Sequence, residues 1–184
     1  MNNPFVYLFK AEQTKPNEKR HRANPGGTFY VLGGVIGDRV RLWHYVDEKW
    51  NGATAAAMYE GPIQETLARY RPSKTTWRIV EDNDPVGFKS GKAEAMKKGL
   101  GMVAVEWPKY SPDLMPLDFS LWTTIEQRAR AAVGKKRVSV REYKRVLRET
   151  ALGMSAVEVR SVMASMRKRI QLCWEHGGGN IPRD

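Results

Sequence analysis

The chain has 184 residues, 41% of them hydrophobic and 10% aromatic, and a formal net charge of +11. That length and composition exclude a disordered chain and suit one domain with a buried core. The charge favours an anionic partner, nucleic acid above others. It is also uneven: residues 123–184 hold 14 Lys and Arg against 6 Asp and Glu, residues 1–122 hold 17 against 14. Solubility alone is the competing explanation of the excess. With one cysteine, Cys173, no internal disulfide can form. No run is long enough to span a membrane. The opening MNNPFVYLF has no basic flank before its short apolar run and is not a secretory signal, so an intracellular protein is expected.

In chain order, FVYLF (5–9) reads as a strand and residues 10–27 as a polar, basic, Pro/Gly-containing exposed connection. TFYVLGGVIG (28–37) and RVRLWHYV (39–46) are β-branched and aromatic runs joined at Gly37-Asp38, a hairpin signal. Residues 51–71 are Ala-rich and helical, with a kink expected at Pro62. TTWRIVE (75–81) reads as a strand ending at an acidic turn, 91–100 as a short helix, and MVAVEW (102–107) as a further strand. Beyond Pro116 the pattern is helical. Ser139 with Glu142, and Ser155 with Glu158, have capping-box spacing. In the last helix Val159, Val162, Met163, Met166, Ile170, Cys173 and Trp174 share an apolar stripe, and Gly177 to Gly179 end it. Cys173 is expected as a small core residue. Three strands, helix, strand, helix, strand and then helices give an α/β (α+β) chain, a mixed sheet flanked by helices with a helical C-terminal part.

Two acids stand out. Asp82 ends a predicted inner strand and Asp118 opens a helix. Two-metal phosphoryl transfer needs carboxylates from separate elements to converge on a pair of cations. Spacing alone does not distinguish that from a turn held by Asx hydrogen bonds. The surrounding words are more specific. VEDNDPVGFKS, WPKYSPDLMPLDFSLW and SMRKRIQLCWEHGGGNI, with VLGGVIG and WNGATAAAMYE upstream in the same order, resemble the catalytic domain of mariner-superfamily DNA transposases. The likeness runs over nearly the whole chain. It implies a ribonuclease H-like fold in a single domain over residues 1–184. It also carries Asp82 onto the family's second catalytic acid and Asp118 onto its third. Asp84 and Asp113 belong to the motifs without being metal ligands, Asp113 shaping its turn, and Trp107 and Trp122 are expected in the core.

The chain departs from the family twice. The family's first acid stands on the first strand, yet no aspartate precedes Asp38. Its place is expected at or before Met1, with the first strand cut short at a sheet edge. The helix-turn-helix region that precedes the catalytic domain in the family is also absent from this sequence. Two carboxylates bind a Mg²⁺ pair poorly. One reading is therefore a domesticated, catalytically silent, transposase-derived nucleic-acid-binding protein with vestigial Asp82 and Asp118. It would act with other proteins in a ribonucleoprotein, RNA favoured over DNA, with no cofactor. An organellar (mitochondrial) ribosome or the nucleus is the setting. The other reading is an active, Mg²⁺-dependent transposase core. Phosphate contacts are expected from Lys19, Arg20, Arg22, Lys135, Lys136, Arg137, Arg167, Lys168 and Arg169. His21, His44 and His176 lack metal-ligand spacing, and Gly33-Gly34 reads as a structural feature, not a phosphate loop.

Overall fold

Strand-forming runs build one sheet. The computed structural model describes residues 5–10, 29–73, 75–109, 111–135, 137–179 and 181. The strands are β1 (Phe5–Lys10), β2 (Tyr30–Ile36), β3 (Arg39–Val46), β4 (Trp77–Glu81) and β5 (Met102–Ala104), in the order β3-β2-β1-β4-β5. Neighbours among β1, β2 and β3 run antiparallel, whereas β1 with β4 and β4 with β5 run parallel. This is the ribonuclease H-like arrangement that the family resemblance implies. Gly37, at φ +68°, supplies the positive dihedral of the two-residue turn between β2 and β3.

Two strand expectations change. β1 is not a shortened edge: it has six residues and pairs on both sides, with β2 and with β4. β5 stops after three residues. One further ladder bond runs from Val105 N to Ile79 O at 2.7 Å. Beyond it the Asn83 side chain donates to the carbonyls of Trp107 and Pro108, at 2.7 and 3.1 Å. Pro108 has no N–H with which to extend a ladder.

The described residues cluster into two units, one ending at Lys109 and one following it. In the first, α1 (Gly52–Met58) starts at Asn51, whose side-chain oxygen accepts from Ala53 N and Thr54 N at 2.8 and 3.2 Å. The kink expected at Pro62 is a π-helical turn, Tyr59–Ile63, which leads into α2 (Gln64–Tyr70). Widening the turn accommodates the ring and the missing donor without ending the helix. α3 (Gly91–Gly99) is capped by Ser90 and packs on α1. Leu32, Leu42, Trp77 and Ile79 of the sheet pack with Ala55, Tyr59, Ile63, Leu67 and Ala93 of the helices in one core. Each large apolar side chain so buried contributes about 1.5–3 kcal/mol.

In the second unit a 3₁₀ turn (Pro112–Leu114) and a π turn (Leu117–Leu121) precede α4 (Trp122–Val133), α5 (Val140–Leu152) and α6 (Ala156–Glu175). The Ser155–Glu158 box is reciprocal: Ser155 Oγ accepts from Glu158 N, and Glu158 accepts from Ser155 N at 2.9 Å. At Ser139 the hydroxyl accepts from Glu142 N, while the Glu142 carboxylate pairs with Arg145. α6 ends in a glycine cap, with Gly177 and Gly178 at φ +62° and +83° and a Gly178 N to Cys173 O bond of 2.8 Å.

The apolar stripe of α6 holds only in part. Val159 and Met166 are buried and Cys173 is half-buried, but Ile170 is 53% and Trp174 83% exposed. A helix of 20 residues extends about 30 Å, and in its own unit α6 packs against the two short turns before α4. Periodicity continues past the length those turns can cover. Trp107 and Trp122, expected in the core, are half-buried.

The α6 cap should respond to pH. Hydrogen bonds from Arg128 and then Ser155 lower the Glu158 pKa from 4.5 to about 2. A carboxylate whose pKa falls on folding binds fewer protons in the folded state. Its contribution is therefore full above 4.5 and is lost as pH falls through about 2. Far-UV circular dichroism and thermal melts across that window should show the wild-type chain losing a component of stability that Glu158→Gln lacks.

Candidate functional site

The segment after β4 is held from several directions. Strand alternation places Trp77, Ile79 and Glu81 on one face, and the first two belong to the core. Glu81 follows them inward and is fully buried. A buried carboxylate is tolerated only when paired and hydrogen-bonded. The Tyr59 hydroxyl donates to Glu81 Oε2, and Lys97 Nζ and Lys89 Nζ lie 2.5 and 3.1 Å from Oε1. Lys97, itself buried, donates also to Phe88 O at 3.1 Å and Glu94 Oε1 at 2.8 Å, which uses all three of its N–H groups. Burial, and then the Glu81 charge, push the Tyr59 hydroxyl well above its ordinary value, so it stays a donor.

The same loop is pinned twice more. Asp84 accepts from Trp50 Nε1 at 2.5 Å and from Val86 N at 3.1 Å. A side chain at Gly87 would put its Cβ 2.2 Å from Trp50 Nε1, so only glycine admits this approach. Asp84 thus has a structural role in holding this loop. Glu81, Lys89 and Lys97 were not among the residues singled out from the sequence. The signal was present: a strand whose alternate residues are Trp77 and Ile79 places its next inward residue in the core.

Asp82, one residue past Glu81, is exposed. It stands in the first unit. Asp118 is exposed in the first turn of the π segment of the second unit, where its N–H donates to Met115 O at 2.9 Å. Asp113 does more than shape a turn: its Oδ2 accepts from Ile181 N at 3.1 Å, so it fastens the residues after α6. Arg169 donates to Asp113 O and stacks on Phe119, 4.0 Å from the ring centroid.

Of the basic residues, Lys135, Arg137, Arg167 and Lys168 are exposed, and Arg169 is half-buried. Lys19, Arg20, Arg22 and Lys136 lie outside the described residues. Arg128, Arg130 and Arg145 are instead committed to Glu158, Glu126, and Glu142 with Glu149.

A hard divalent cation needs several oxygen ligands. Among the described residues no three or more His, Cys, Asp or Glu side chains gather as a metal site. In parallel register β1 sets Leu8 opposite Glu81, and its residues, FVYLFK, include no Asp or Glu. Among the described residues no helix is long and apolar enough to cross a membrane.

Sheet order and flanking helices define a ribonuclease H-like fold. The catalytic domain of Mos1 mariner transposase is similar over 97% of this chain and 84% of that one, with TM-score 0.77 and 17% identity. The same domain with raltegravir and Mg gives 0.79 and 17%, over 97% and 86%. The Mos1 paired-end complex with the left transposon end gives 0.78 and 17%, over 97% of this chain and 56% of that one. At such identity the likeness establishes the fold. No protein-family model matches the chain. No curated protein matches it in sequence.

The buried cluster and the exposed Asp82 should respond differently to substitution. Lys97→Met leaves the buried Glu81 short of its closest cation and should cost about 3–5 kcal/mol. Asp82→Ala, at an exposed position, should stay within about 0.5 kcal/mol of wild type. Urea unfolding of both variants measures this; a small loss for Lys97→Met would show that the cluster does not support the fold.

Proposed function

We propose that the chain is a transposase-derived nucleic-acid-binding protein that holds its partner electrostatically and does not cut it. The observation that carries this reading is β1: the strand that bears the first acid in the mariner family pairs here with β4 and supplies no carboxylate. Metal-assisted phosphoryl transfer depends on cations that orient the attacking oxygen and stabilise the leaving one. The chain's own residues supply binding: Lys135, Arg137, Arg167 and Lys168 are exposed in the basic C-terminal part. Related Mos1 structures hold transposon DNA, which supports DNA as the partner. The finer form of the reading is a domesticated protein in a ribonucleoprotein such as a mitochondrial ribosome, or in the nucleus; it rests on composition and charge. Asp82 and Asp118, both exposed, favour the second reading, an active Mg²⁺-dependent transposase core.

Binding should weaken steeply as salt rises, because each phosphate contact releases counterions. Gel-shift assays with DNA and RNA competitors measure the affinity and decide between the two. In a nicking and strand-transfer assay with Mg²⁺ or Mn²⁺ no product is expected. Metal-dependent cleavage that disappears in Asp82→Ala would overturn the silent reading in favour of the active one.

A further inference from the structure

A shallow, open groove of about 270 Å³ lies wholly within the second unit. Its walls include Ser120 and Ser161, with Ser165, Lys168 and Arg169, and Phe119 lies on its apolar side. No carboxylate lines it. The Ser165 hydroxyl is already engaged, donating to Val162 O at 2.7 Å. Ser120 and Ser161 supply the remaining hydroxyls. Two cations and two hydroxyls beside an apolar strip match a phosphate joined to a sugar: charge and donors for the oxygens, carbon for the ring.

Arg169 is the fixed element. Its guanidinium is stacked on Phe119 and tied to the Asp113 carbonyl. Those two contacts hold it in place before any ligand arrives, and a planar fork held in place loses little freedom on binding. Lys168 is exposed and supplies the mobile charge. Phe119 and Ser120 directly follow Asp118 in the same π turn, so a ligand in the groove lies next to the segment that carries that acid.

We infer that this groove seats one backbone phosphate of a DNA strand, with Lys168 and Arg169 as its cations and Ser120 and Ser161 as its neutral donors. The inference rests on the reading of the chain as a DNA-binding protein and names where on the second unit the strand is held.

Fluorescence anisotropy of the full chain with a short labelled DNA duplex tests it. EDTA keeps metal-dependent chemistry out of the measurement, and circular dichroism confirms that each variant is folded. Lys168→Ala should weaken binding about 3- to 10-fold and lower the slope of log affinity against log salt by about one. Ser161→Glu, which brings a carboxylate to the groove, should weaken binding clearly more than the neutral Ser161→Gln. Arg148→Ala, an exposed cation on α5 outside the groove, should have the smaller effect. Equal binding by Ser161→Glu and Ser161→Gln, or a Lys168→Ala loss no greater than that of Arg148→Ala, overturns the groove and leaves DNA binding elsewhere intact. Failure of the unaltered chain to bind DNA overturns the DNA-binding reading and the groove with it.

Discussion

A fully buried carboxylate sits where β4 ends, and much of the first unit is arranged around it. Removing Glu81 from water costs several kcal/mol unless its oxygens are paired. Its partners come from three places: Tyr59 from the π turn, Lys97 from α3 and Lys89 from the loop between β4 and α3. One side chain therefore sets where the π turn, α3 and the loop lie against the sheet. Lys97 carries the constraint further, because its bond to Phe88 O fixes the backbone of the same loop. Asp82, the next residue and past the end of β4, is exposed.

This arrangement marks how far sequence reasoning reaches. Strand and helix order followed from β-branched runs, Gly37-Asp38 and the Ser155 box, because those signals act within a few residues. The place of β1 was misjudged, since nothing local in FVYLF tells an inner strand from a shortened edge; only pairing with β2 and β4 decides it. Glu81 was overlooked for a related reason. Its role depends on Lys97, 16 residues on, and Tyr59, 22 residues back. The strand alternation that predicts its burial was legible, but an acidic residue beside a second acid reads first as surface. At Ile170 and Trp174 the opposite error arises: helical period marks a face as apolar and cannot say how much of it finds a partner.

The second unit repeats the design with other residues. Asp113 fastens Ile181, while Arg169 links the Asp113 carbonyl to the Phe119 ring. The turn that carries Asp118 is thereby joined to α6 and to the residue beyond its glycine cap. An arginine read from the sequence as a phosphate contact proves to be first a strut. A cation held in this way is also a better anion ligand than a mobile one, so the two roles are compatible.

These assignments bear on what a motif can say. In EDNDPVGFKS, Glu81, Asn83, Asp84, Gly87, Phe88, Lys89 and Ser90 each have a structural duty: burial, pairing, capping or close approach. In SPDLMPLDFSLW, Asp113 and Phe119 are used the same way, and Leu114, Leu117 and Leu121 are buried. A chain that keeps this fold has physical reason to keep these words whether or not it performs chemistry. Their resemblance to transposase motifs is therefore strong support for the scaffold and weak support for catalysis. The informative positions are the donors that a metal pair requires. On β1, the strand that lies beside β4, the sequence offers only Phe5, Val6, Tyr7, Leu8, Phe9 and Lys10.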